Sequence, residues 1–168
     1  MPPEQIKWMI ETFLGVEVSE GATEVALQGE YEGITMILPP PGEEWCELHR
    51  EGTVGVSHWK SIDFAVRSLN RQSRIQTLPN CRIHVAAELD EDWVPIVWIS
   101  VSRLVKIAGT NVMQRVDWES CRRDEIGRHM AAEYIDGDMP GAIFLDWLID
   151  NSEDIGGELE ALLTYEAP

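Results

Sequence analysis

Apolar positions along the chain recur in two periods, and the switches between them lay out the elements. Ile6, Met9, Ile10, Phe13 and Leu14 keep the three-and-four spacing of a helix face, predicting a helix over residues 4–14. Pro2 and Pro3 stand where a helix entry tolerates proline, and Gly15 stands where a helix ends. Residues 23–28 change to a period of two, with Val25 and Leu27 on one side and Glu24 and Gln28 on the other. Tyr31, Ile34, Met36 and Ile37 carry strand character through residues 30–38, until Pro39-Pro40-Pro41-Gly42 stops any regular element. Residues 45–48 follow as a short strand or turn.

The helical period returns over residues 57–73. Trp59, Ile62, Phe64, Ala65, Val66 and Leu69 offer a broad apolar face, with Lys60, Arg67, Arg71 and Arg74 directed outward. Residues 82–89 alternate, placing Ile83, Val85, Ala87 and Leu89 together. Past the acidic turn Asp90-Glu91-Asp92, residues 94–101 are almost wholly apolar, as in a strand buried on both faces. The two runs predict an antiparallel hairpin. Residues 104–108 extend the second run or form a further strand, and Gly109-Thr110-Asn111 reads as a turn. Residues 117–135 read as one helix with Asp117 at its N-cap, and Cys121 on its inner side. Breakers at 136–141 separate it from a helix over 142–151 that is rich in Ile143, Phe144, Leu145, Leu148 and Ile149. Gly156-Gly157 precede a last helix over 158–165.

This order predicts an α+β fold in a single domain over 1–168. A largely antiparallel sheet of about four or five strands packs with about four or five helices, and an acidic all-helical subregion begins at about residue 117. A length of 168 residues suits one domain and suffices for a core without disulfides. Three cysteines, Cys46, Cys81 and Cys121, with no Cys-x-x-Cys spacing, fit buried thiols in a reducing compartment. The start Met1-Pro2-Pro3-Glu4 lacks the basic and apolar blocks of a signal peptide, and no apolar run reaches the roughly 20 residues that span a bilayer. A soluble protein of the cytoplasm is the expectation.

Charge changes the picture most. Thirteen Lys and Arg stand against 30 Asp and Glu, a formal net charge of −17. Residues 1–56 hold 11 acids and two bases, residues 57–130 hold nine acids and 11 bases, and residues 131–168 hold ten acids and no base. A surface shaped for solubility alone interleaves both signs, so a tail without one base points to an interaction surface. The same balance weighs against direct binding to nucleic acid or an anionic membrane, which are themselves polyanions. Lys60, Arg67, Arg71, Arg74 and Arg82 form a basic stretch in the middle, but internal pairing with the acids explains it more economically than phosphate binding.

No nucleophile elbow, phosphate loop, zinc-binding His-Glu-x-x-His or dinucleotide fingerprint occurs in the chain. Glu125, His129 and Glu133, at i, i+4 and i+8, could line one helix face and ligate a divalent cation, the basis of an enzyme or metal-protein alternative. More distinctive are Asp146 and Asp150, four apart on one helix and continued by Glu153 and Asp154, with Asp136 and Asp138 upstream. Carboxylates on one helix face stand about 5–6 Å apart and repel by a few tenths of a kcal/mol per pair. That spacing is of the order of the phosphate spacing in a nucleic-acid strand. Glu43, Glu44 and Glu47, with Trp45 as an aromatic anchor, form a second acidic patch.

In charge class the chain is similar to acidic inhibitors that imitate nucleic acid, such as phage anti-CRISPR and anti-restriction proteins. No stretch of it carries a motif of such a family. The expectation is an inhibitor without a cofactor that occludes the basic site of a nucleic-acid-binding protein or ribonucleoprotein, with a homodimer compatible. An immunity protein neutralising a nuclease toxin shares the same physics, and an acidic assembly component is a further alternative.

Overall fold

Strand pairing divides the chain before helix packing does. The computed structural model describes residues 1–151 and 156–165. Among them eight strands form two antiparallel sheets of four, and the chain separates into two compact units, residues 1–70 and 71–168, each holding one sheet. Five α-helices accompany the strands, so the fold is α+β.

In the first unit, α1 (Pro3–Leu14) buries Ile6, Met9, Ile10 and Leu14 and ends at Gly15, whose φ of +68° suits a residue without a side chain. Phe13 falls off that face and stands edge-on to Trp8, with ring centroids 5.7 Å apart. β1 (Glu24–Ala26), β2 (Ile34–Ile37), β3 (Cys46–Arg50) and β4 (Val56–Trp59) form a meander. Val25, Met36 and Leu48 lie in one cross-strand row and all are buried. A 3₁₀ turn at Gly29–Tyr31 delays β2 to Ile34. α2 (Ile62–Leu69) closes the unit, packed against α1.

Residues 57–73 are therefore not one helix. Val56–Trp59 pair with β3, with Cys46 opposite Trp59, and Gln72 opens the next strand. Only 62–69 remain helical, and their apolar positions alone satisfy the helical period. The earlier part of the predicted face came from a strand that happens to place Trp59 three residues before Ile62.

In the second unit, β5 (Gln72–Thr77), β6 (Arg82–Leu89), β7 (Pro95–Lys106) and β8 (Met113–Arg122) form another meander. The expected hairpin is present, with Leu89 opposite Pro95 and Ile83 opposite Val101. β7 runs unbroken to Lys106. It is not buried on both faces throughout, because Trp98 is exposed on the side away from Val97 and Ile99. α3 (Glu125–Ile135), α4 (Gly141–Asn151) and α5 (Gly156–Thr164) follow. Ile83, Val85, Val97, Ile99, Val101 and Trp118, all on one sheet face, meet Ala131, Tyr134, Phe144, Leu145, Leu148, Leu159 and Leu162 of the helices in one core.

The expected helix from Asp117 is also divided. β8 pairs with β7 as far as Val97 opposite Arg122, so residues 117–122 are strand and the helical region starts at Glu125. The N-cap is Asp124, whose side chain accepts a hydrogen bond from the Gly127 N–H at 2.9 Å. In strand geometry Trp118 points into the core and Cys121, at odd spacing from it, points out, so Cys121 is exposed while Cys46 and Cys81 are buried. Among the described residues no helix is long and apolar enough to cross a membrane.

Candidate functional site

The acidic surface of the second unit is built on the turn from α3 to α4. Arg74, on β5, organises that turn: its Nη1 donates to the carbonyls of Tyr134 at 3.0 Å and Met139 at 2.8 Å. Its guanidinium lies 4.4 Å from the centroid of the Tyr134 ring, and its Nη2 stands 3.5 Å from Asp138. Asp138 adopts a positive φ of 56° and its side chain is 95% exposed, so this ion pair adds little stability. Asp136 occupies the C-cap of α3, exposed, and forms no ion pair among the described residues.

α4 enters at Gly141, a buried position where an added Cβ would lie 2.6 Å from Gln76 Oε1. The close approach lets Phe144, Leu145 and Leu148 bury, and Phe144 stacks on Tyr134 with centroids 4.6 Å apart. The 3.6-residue turn then directs Ile143, Asp146 and Asp150 to the other side, and all three are exposed. α4 contains no basic residue, and neither aspartate joins an ion pair among the described residues. Glu153 and Asp154 lie outside the described residues. The row predicted from sequence is thus present at Asp146 and Asp150, with Asp136 bare and Asp138 offset by Arg74.

The patch of the first unit is more engaged with itself. Glu43 Oε2 accepts a hydrogen bond from Trp45 Nε1 at 2.9 Å, and Glu44 stands 3.5 Å from the Met1 amino group. Glu47 lies between two imidazoles: His49, two residues on, at 3.0 Å, and His58, its cross-strand neighbour, at 3.3 Å. It is not the free carboxylate that the sequence suggests. Trp45, Cys46, Glu47, His58, Trp59 and Lys60 line a shallow groove of about 410 Å³. Burial, and then the neighbouring Glu47 charge, push the Cys46 thiol up to about 11, so it is an inert structural thiol. The His–Glu–His arrangement escaped the sequence reading because His58 fell in the predicted helix. Only the β3–β4 register brings it to Glu47.

Glu125, His129 and Glu133 do share the exposed side of α3, as their spacing predicts. Among the described residues, however, no three His, Cys, Asp or Glu side chains are grouped to hold a metal ion. Arg122, three residues before Glu125, gives two hydrogen bonds to Asp124, each 2.9 Å, and its guanidinium lies 4.8 Å from the Trp147 ring centroid. No protein-family model, curated protein or solved structure matches the chain. Its chemistry is read from its own surfaces.

Proposed function

We propose that the protein is an acidic binding protein of the cytoplasm that inhibits a nucleic-acid-binding protein or ribonucleoprotein by occupying its basic site. The observation that carries this reading is the bare face of α4, where Asp146 and Asp150 face solvent on a helix without a base. Two like charges at that spacing cost a few tenths of a kcal/mol, so stability does not explain them. A fixed carboxylate row attracts a groove of Lys and Arg that ordinarily holds phosphates, with rapid and salt-sensitive association. Exposed ion pairs add little affinity alone, and the exposed Ile143 and half-buried Trp147 supply apolar area beside them. Asp136 extends the acidic surface, and Glu43 with Trp45 offers a second contact on the other unit. Inhibition is steric and electrostatic, without a cofactor and without direct contact to nucleic acid.

The test is capture from cell extract on immobilised protein at low salt, followed by elution at high salt. A basic nucleic-acid-binding protein is retained and then released. Reversing both charges, Asp146→Lys with Asp150→Lys, weakens its binding at least about tenfold. Retention of no such protein defeats the reading, and unchanged affinity of the double variant removes α4 as its contact face.

A further inference from the structure

The β7–β8 hairpin outgrows its sheet. β6 accompanies β7 only to the pair Arg82–Ser102, whereas β7 and β8 continue together to the pair Lys106–Met113. Residues 103–106 and 113–116 thus form a two-stranded arm, closed by an Ile107 carbonyl accepting from Thr110, an Ile107 N–H donating to Val112, and Gly109 at a φ of +76°. Its underside is tied down. Arg103 Nη1 donates to the carbonyls of Leu162 and Leu163, both at 3.0 Å, at the end of α5, and Val105 and Val116 are half-buried.

The opposite face of the arm is bare. Leu104 stands across from Arg115 and Lys106 across from Met113, so two apolar and two basic side chains form a square. Leu104 is 62% and Met113 52% exposed, and Ile107 and Val112 add exposed apolar surface at the tip. Residues 103–116 contain three bases and no acid, in a chain of net charge −17. Arg115 touches Asp117 at 2.8 Å, an exposed pair of small value, while Lys106 forms no ion pair among the described residues. Isolated two-stranded ribbons are marginal in water, and clustered exposed apolar groups mark docking surfaces.

The complement of this square lies on the same chain. On α4, Ile143, Asp146 and Asp150 follow at i, i+3 and i+7, and Ile143 is 54% exposed. Asp146 and Asp150 stand about 5–6 Å apart, and the diagonal from Lys106 to Arg115 spans about 7–8 Å, within reach of both long side chains. We propose that the β7–β8 arm docks on the α4 face of a second copy of this chain, with Lys106 and Arg115 against Asp146 and Asp150, and Leu104 and Met113 against Ile143. The contact joins unlike patches of two copies. It uses the acidic face assigned above, so self-association and partner binding compete. It needs no partner, however, and is read on the isolated protein.

Sedimentation equilibrium tests it at low and high salt, with far-UV circular dichroism confirming that each variant is folded. The wild type dimerises at low salt and at least about tenfold more weakly once charges are screened. Lys106→Glu and Asp150→Lys each weaken the dimer at least about tenfold, and the two together recover much of the loss by re-forming the pair with reversed polarity. A wild type that stays monomeric at low salt overturns the proposal, as does a dimer indifferent to Lys106→Glu. A short DNA duplex shifted by the wild type and not by Lys106→Glu, with no dimer formed, assigns the arm to nucleic acid instead. Failure of the dimer leaves partner capture by α4 standing, because that capture does not involve the arm.

Discussion

Asp124 joins strand to helix with a single carboxylate. It caps α3 through the Gly127 N–H and takes both hydrogen bonds of Arg122 from the end of β8. Chiefly the Arg122 bonds, and then the Gly127 N–H, hold its carboxyl below the usual aspartate range. A depressed folded value means that this stabilisation stands in full above about pH 4 and fades as pH falls through the folded value. Asp124→Ala should lower stability by about 1 kcal/mol in urea unfolding at neutral pH. Asp124→Asn keeps a cap acceptor and should flatten the acid limb of the stability profile below about pH 4. Sequence alone put the cap at Asp117, which directly precedes the apolar Trp118, whereas Asp124 is followed by Glu125. Choosing between them requires knowing that Trp118 belongs to a strand.

The elements legible in the sequence are those whose apolar period runs uninterrupted between breakers. α1, β6, β7 and α4 meet that condition, and each appears close to its expected place. The two misread spans, 57–73 and 117–135, each cross a junction where strand and helix residues fall into a three-and-four pattern by accident. Trp59 with Ile62, and Trp118 with Cys121, have helical spacing, yet each begins in a strand fixed by a partner far along the chain. Long-range pairing outweighs local period there, and one sequence does not display it. α4 shows the reverse case, with one face for packing and one for contact. Phe144→Ala should destabilise by about 3–5 kcal/mol in urea or thermal unfolding, because the ring is fully buried between Tyr134 and Trp147.

At the scale of the whole molecule, the charge surplus of the termini is left largely uncompensated. Five of the 11 basic residues of the middle segment pair within that segment: Arg67 with Asp63, Arg71 with Glu88, Arg115 with Asp117, Arg122 with Asp124 and Arg123 with Asp90. Among the described residues only the pair of Arg74 and Asp138 joins a base of the middle segment to a carboxylate of the C-terminal one. The surplus was legible from counting. Which carboxylates stay free was not, because Glu47 is engaged through a strand register and Asp138 through an arginine 64 positions earlier. A net charge of −17 repels itself, so the melting temperature should rise as salt increases from about 10 to 150 mM. A flat response in calorimetry would mean that local pairs already offset the repulsion.

β8 has one consequence that concerns growth. It ends its sheet, and its ten residues offer a second edge with no strand partner among the described residues. Such an edge templates amyloid-like stacking wherever it is flat and apolar. Here Arg115, Asp117, Glu119 and Arg122 break the strand at every second or third position. An identical strand laid alongside in parallel register would set each of these charges against its own copy. Parallel in-register stacking on this edge is opposed, and contact through the arm is left to its face.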